Sequence, residues 1–539
     1  MRFIAALVLI SLAVTSTVSA QSPLPEGVRP LLQQLFENAK TGQHHNNLGE
    51  IALVYVRIEE PDRALAIVQQ IKSEFWREYM LREIGRVAAE RSHVGAALEA
   101  LKLYHPDDTA KYSFLPSFGP HQVAYLLAEA GRHDEAMKVA GQIQNEADRL
   151  AAQFWVCQLA AETSDPMTSK ARFEALLKLD RDELTEPSLV VARAVAHARF
   201  GNVSQARAAL QADPKDWTLQ RKIPAALAQA GKALEAMKLA QSIANEDDRS
   251  DAVSGVIAVL TQREEVNPPW LLLLEKDESM RDWALHEIAV RSATDRNYRA
   301  ALDTAGQIQG VDQRTTTLLD IWDVLEPQEH AIADEIHAKL APLVAMIDVL
   351  YSKVEVETQW AVLRLRRESP QEILKIVERL DKSLRDRLPL KTTRHEWFEL
   401  IQLSKVAKAY AACGARGRAK DALLYQWQIT ENCLSQRQII GNMIEGEVGG
   451  VVTDMVEIGQ FKEAIRLAQL KTFPEHARTE VLFRLGKALG KALEFQPCVE
   501  LVRAEIAAGP AQDLILIAAI RGIEENLHEK QTRATAGDK

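Results

Sequence analysis

The residues able to do chemistry are sparse, and their spacing rules out most of it. His44 and His45 stand side by side in the polar turn from Gly42 to Asn47. Neighbouring side chains point in different directions, and no nearby Cys or acid completes a ligand set, so this pair reads as a solvated turn. None of the thirteen histidines forms a His-x-x-x-His pair with a Glu of the zinc-protease type. The acidic pairs Asp107-Asp108 and Glu264-Glu265 sit in loops of a chain with 26% charged residues. Without a pocket built from separate loops they make no acid–base couple. There is no Gly-rich phosphate loop, no Gly-x-Ser-x-Gly elbow and no Cys–His nucleophile context. Gly449-Gly450 reads as a helix end, and Asn202-Val203-Ser204 is a lone sequon. No catalytic residue, cofactor or metal is expected.

Four cysteines remain. Cys413 and Cys433 flank a helix of about a dozen residues, whose rise holds them roughly 20 Å apart, beyond bridging distance. Cys157 follows Val156 on an apolar helix face, and Cys498 follows Pro497. Buried free thiols are expected.

One chemically capable residue does recur. The chain reads Ala64, Val68, Ile71, Arg77, then Ala136, Ala140, Ile143, Arg149, then Ala236, Ala240, Ile243, Arg249, then Ala301, Ala305, Ile308, Arg314. The offsets are the same in all four copies. Each Arg falls in the first turn of a helix, where a cation faces the positive end of the helix dipole. A compensating acid is therefore expected, with Glu135 and Glu235 as candidates. The arginines are then either staples between units or a cationic ladder for an acidic polymer, and stacking favours the staple.

The elements that carry this pattern are helices. Ala136, Ala140 and Ile143 lie at i, i+4 and i+7 on one face, and Ala152, Val156, Leu159 and Ala160 follow on a second helix. Copies begin at 64, 136, 236 and 301, spaced by 72, 100 and 65 residues. These divide into two, three and two units of about 33 to 36 residues. Intervening copies show at Ala97 with Leu101 and at Ala206 with Leu210. Later ones show at Ala422 with Ile429 and at Ala464 with Ala468. Gly131, Gly231 and Gly459 end the upstream helices, since glycine lacks the Cβ that clashes in the left-handed stop. One such unit cannot bury its own apolar faces, but a stack can. Pro224 implies a short or kinked helix before Gly231. The nine tryptophans do not recur in register, and aromatics are only 6% of the chain, so scattered core packing accounts for them.

Unit length and the stretches Leu127-Ala128-Glu129-Ala130-Gly131 with Glu135-Ala136, and Leu227-Ala228-Gln229-Ala230-Gly231 with Glu235-Ala236, resemble the tetratricopeptide-like helical-repeat superfamily. The resemblance covers most of 45–325 and, more weakly, 405–490. It departs at Ala140 and Ala240, where the family has a large aromatic, and at Asp148 and Asp248, where it has a closing Pro. The pairs Asp148-Arg149 and Asp248-Arg249 have a HEAT-like character. The resemblance implies an all-α solenoid of stacked antiparallel helix pairs with a right-handed superhelix. It implies that first helices line a concave face where extended peptides bind. Aligned on that pattern, Arg57, His121, Tyr125, Glu129, Arg221, Gln229 and His286 are the expected groove residues.

The domain reading follows. Residues 1–20 carry Arg2, an apolar run from Phe3 to Val14 and Val18-Ser19-Ala20, the three parts of a secretory signal. Cleavage is expected near Ala20, placing the mature chain in the periplasm or outside the cell. Residues 21–44 are a lead-in and N-terminal capping helix, 45–326 repeats, 327–400 an irregular region of longer helices, 401–510 further repeats, 511–530 a C-terminal capping helix, and 531–539 a disordered tail. The irregular region is either a run of degenerate units or an inserted helical subdomain. No integral membrane segment is expected after signal removal. The formal net charge of −10 argues against a general nucleic-acid binder, which needs a basic stripe. The leading expectation is an exported, non-enzymatic scaffold with a protein or peptide partner in its groove. The alternatives are an enzyme or polymer-binding accessory with its site in 327–400, and an architectural envelope protein.

Overall fold

The computed structural model describes residues 25–42, 44–91, 93–104, 120–163, 166–179, 186–262, 268–388, 397–435, 442–469 and 475–537. The expected signal segment, Asp107-Asp108 and Glu264-Glu265 lie outside them. The described residues are helical throughout, with no strand among them. First helices pair with the second helices beside them, as Trp217–Gln229 with Ala233–Gln241, and also touch the next first helix, as Glu146–Thr163 touches Pro187–Arg199 and Trp217–Gln229 touches Glu246–Leu260. The fold is an all-α stack of helix pairs.

The repeat period matches the helices observed. Between the copies at Ala64 and Ala136 lies the second helix Val94–Leu103; between Ala136 and Ala236 lie Pro166–Leu179 and Val203–Ala212. Between Ala236 and Ala301 the second helix has shrunk to the 3-10 turn Pro269–Leu274. The recurring alanines are fully buried, since a small side chain there lets paired helices approach closely.

Several helix ends share one device. At Gly131, φ +76°, the Arg132 N–H donates to the Leu127 carbonyl at 2.8 Å and the Gly131 N–H to Ala128 at 3.0 Å. This is the six-to-one and five-to-two pattern of a glycine-stopped helix. Glu59 and Arg296 make the same turn at φ 66° and 63° without glycine, at a cost of roughly 1 kcal/mol each. The helix Trp217–Gln229 continues through Pro224, so that residue does not shorten it.

The irregular stretch 327–400 keeps the alternation. His330–Met346 and Pro370–Arg387 act as long second helices around the first helix Leu350–Arg364. Its longer helices displace the Ala/Ile register, which is why the repeat signal fades there.

Two compact units emerge. One takes in residues up to Ile84 together with those from Thr430 onward; the other spans Gly85–Ile429. In the first, the helices Val28–Gly42 and His45–Arg57 pack on Pro510–Gly537. Neither expected cap is a free end of this unit: each covers the other. The last helix continues through Gly537, into the stretch read as a tail. Among the described residues no helix is long and apolar enough to cross a membrane.

Candidate functional site

The recurring arginines have a partner that no side-chain inventory shows. Arg149 Nη1 donates to the Ile143 carbonyl at 3.0 Å and lies 3.4 Å from that of Gln144. Arg249 repeats this on Ile243 and Ala244, at 3.0 and 3.4 Å. Arg314 Nε donates to the Ile308 carbonyl at 2.6 Å. These carbonyls follow the end of the preceding second helix, the negative end of its dipole, where a cation is favoured. The expected acid is therefore replaced by backbone: Glu135 pairs with Arg132 instead. Asn145 and Asn245 complete the loop by accepting the N–H of Asp148 and Asp248, each at 3.0 Å. In the fourth copy Gly310 stands at that cap, and the buried Asp282 accepts from the N–H groups of Gln309 at 3.0 Å and Gly310 at 2.6 Å. Arg77 departs from the pattern and lies 4.0 Å from Glu78. Arg149→Ala is expected to lower stability by about 1.5–3 kcal/mol, the range for a hydrogen bond to a charged group. It should also speed amide exchange across Ile143–Arg149. Unchanged melting and exchange would remove the clasp from the account.

The expected groove residues divide between the units. Arg57, in the first unit, lies 3.7 Å from Glu524. The other six lie in the second. His121 and Glu129 are exposed and Tyr125 half-buried on the helix Pro120–Glu129. Gln229 is half-buried at the end of Trp217–Gln229. His286 is largely enclosed: its Nδ1 is 3.0 Å from Thr317 Oγ1, and its Nε2 is 3.9 Å from Asp320 and 4.0 Å from Glu287. Thr317 Oγ1 already donates to the Gln313 carbonyl, so it accepts from His286. His286 thus ties two successive first helices together.

Arg221 is the expected residue with the most informative surroundings. It pairs with Asp251 on the next first helix, and its guanidinium sits 5.7 Å from the Trp217 ring. Trp217 is 60% exposed. It occupies the first position of a helix capped by Asp216, which accepts the N–H groups of Thr218 at 2.8 Å and Leu219 at 3.1 Å. Next to Arg221, the Lys222 ammonium lies 4.3 Å from the ring of Trp155. Trp155 belongs to Glu146–Thr163, two first helices back, with Pro187–Arg199 between them. The contact thus reaches across Pro187–Arg199 to a helix that is not its neighbour. Lys222 has no carboxylate partner among the described residues, and desolvation lowers its pKa. Trp155, Trp217, Arg221 and Lys222 thus form an aromatic–cationic patch on the first-helix face. Trp217 and Lys222 were not among the expected groove residues. Trp270 and Trp322 are buried and fit the core role; Trp217 does not.

The chain is similar to several solved structures at low identity. The crystal structure of the pentatricopeptide repeat protein PPR10 from maize aligns over 99% of this chain and 87% of its own, at 12% identity and TM-score 0.31. Ton1535 from Thermococcus onnurineus NA1 aligns over 89% of this chain and 99% of its own, at 13% identity and TM-score 0.21. Yeast Tom70 aligns over 91% and 97%, at 11% identity and TM-score 0.24. No protein-family model matches the sequence, and no curated protein matches it. The fold assignment rests on the helix pairing itself.

The charged stretches of 327–400 are structural ties. Arg364 forks onto Glu368, with both contacts at 2.5 Å. Arg366 donates to the carbonyls of Trp322 at 3.2 Å and Asp323 at 3.1 Å, closing the end of Val311–Asp323. Arg367 pairs with Asp334 at 2.6 Å. Asp381 accepts from Arg385 at 2.7 Å and from the Tyr410 hydroxyl at 3.1 Å. Burial first, and then the Asp381 carboxylate, push the Tyr410 phenol above its ordinary range. Among the described residues no group of three His, Cys, Asp or Glu could hold a metal. Cys157 and Cys498 are buried free thiols pushed up to about 12 by burial, whereas the free thiol of Cys413 is half-exposed.

Proposed function

We propose that this chain is a scaffold that holds an extended protein or peptide segment along the first-helix face around Trp155, Trp217, Arg221 and Lys222. The observation that carries the reading is Lys222: among the described residues a cation without a carboxylate partner, stacked on Trp155. An acidic residue from a partner restores the missing charge there, and an apolar neighbour covers Trp217. Exposed aromatic and Arg positions of this kind dominate binding energy at interfaces. Export, read from residues 1–20, is part of the same proposal; a mature chain starting at Gln21 is its check.

Twelve-residue peptides selected from a random display library on the wild-type protein supply the probe. Their affinity should fall at least tenfold in Trp217→Ala and in Lys222→Glu, about 1.4 kcal/mol or more. Both side chains are exposed, so melting should be nearly unchanged. Selected peptides that bind both variants as tightly as wild type would overturn the assignment of the site, as would a library that yields no binder.

A further inference from the structure

A cavity of about 460 Å³ opens on the second-helix side, between Val203–Ala212 and Ala233–Gln241. Its walls are apolar at Leu210, Leu239 and Ile243, and its cations are Arg207 and Lys238; no acid lines it. Neither Arg207 nor Lys238 has an ion-pair partner among the described residues. The wall at Ile243 and Ala244 is held by the Arg249 clasp. The cavity is therefore rigid along one side and carries two uncompensated positive charges.

Gln220 supplies the third observation. It lines the same cavity and is only 6% exposed. Its Nε2 donates to the Pro214 carbonyl, which fixes the amide orientation because a carbonyl cannot accept from Oε1. Gln220 Oε1 is left buried with no donor. A buried acceptor without a partner is uncommon, and a ligand N–H satisfies it.

We propose that this cavity binds a small N-acylated apolar amino acid. The carboxylate lies between Arg207 and Lys238, the amide N–H reaches Gln220 Oε1, and the apolar side chain covers Leu210, Leu239 and Ile243. The volume falls in the range of small-molecule sites. Gln220 shares the helix Trp217–Gln229 with the Trp217 patch, but the cations and apolar walls of this site lie on Val203–Ala212 and on Ala233–Gln241 with the loop after it, and the proposal does not rest on the peptide reading.

Calorimetric titration of the full chain with N-octanoyl-L-leucine tests it. Saturation below about 1 mM is expected for a ligand of this size. The leucinamide, which lacks the carboxylate, should bind at least tenfold more weakly. The N-methyl analogue, which lacks the N–H, should bind several-fold more weakly. Arg207→Glu and Lys238→Glu should each lose tenfold, and Ser242→Trp, which fills the cavity from an exposed lining position, should lose binding. Lys222→Glu should leave binding unchanged, so failure here is distinct from failure of the peptide site. Equal binding of acid and amide, equal binding by Ser242→Trp, or no saturation would overturn the proposal.

Discussion

Gly490→Leu is expected to unfold the unit that joins residues up to Ile84 with those from Thr430 onward. The helices Glu475–Ala492 and Pro510–Gly537 meet backbone to backbone. A Cβ on Gly490 would fall well under 3.0 Å from the Ala519 carbonyl oxygen, and one on Gly486 equally close to the Ile515 carbonyl oxygen. Gly522 on the facing helix is as close to the Lys487 carbonyl oxygen. A backbone carbonyl cannot rotate away as a side chain can, so any added carbon must push the helices apart. That separation undoes the packing of Leu485, Leu489, Ile515 and Ala518, all fully buried. Overpacking in cores costs about 1–3 kcal/mol and occasionally more. Even Gly490→Ala should therefore lose about 3 kcal/mol. Gly450 is the control: nothing lies within 4 Å of its Cβ position in the interior of Asn442–Glu457, so Gly450→Ala should gain about 0.5–1 kcal/mol. Limited proteolysis and thermal melting read both changes. A Gly490→Leu chain that melts like wild type would contradict the packing.

Arg521→Met should be the next most damaging change, and its effect should depend on pH. Arg521 donates to Glu50 at 3.0 Å, sits 3.5 Å from Glu525, and lies 5.3 Å from the Phe483 ring. It thereby ties His45–Arg57 to Pro510–Gly537. Breaking a buried pair costs about 3–5 kcal/mol because the other charge is left uncompensated. Both side chains keep some solvent contact, at 20% and 26% exposure, so about 2–3 kcal/mol is expected after screening. Burial raises the Glu50 carboxyl above its ordinary 4.5, and Arg521 opposes that rise. A carboxyl raised by folding gains proton affinity in the folded state. Its contribution to stability therefore falls as pH rises from the unfolded value through the folded one. Without Arg521 the folded value climbs further, so the deficit should be largest at pH 7 and shrink on acidification. Glu50→Gln in the same chain should recover part of the loss at pH 7. A deficit that is constant with pH would show that Arg521 acts through packing on Phe483 alone.

The architecture was legible because helix contact constrains small residues. Ala136, Ala140 and Ile143 recur at fixed offsets since compact apolar side chains, Val68 among them in the first copy, are what fit where paired helices touch. The spacings of 72, 100 and 65 residues therefore divided into the helix pairs observed. The partner of Arg149 was not legible, because a main-chain carbonyl leaves no residue type to find. The signal was present in the fixed separation of six between Ile143 and Arg149, the span of one interhelical loop. Trp217 carries no periodic signal, because its exposure comes from standing at the first turn after Asp216. The packing of Val28–Gly42 on Pro510–Gly537 has no periodic signature at all, since it joins segments hundreds of residues apart.

That last packing bears on biosynthesis. The hydrogen bond between Asn38 and Asp513 spans 475 positions, and that between Glu50 and Arg521 spans 471. A ribosome releases residues in order, so Leu31, Leu32, Leu35 and Ile51 emerge long before the helix that covers them. The unit Gly85–Ile429 has all its own residues by the time Thr430 appears and can fold first. Its neighbour must wait with an uncovered apolar face, the condition under which nascent chains aggregate or engage chaperones. The order of synthesis thus makes the early helices the chain's most vulnerable segment, although in the finished fold they are among its best buried.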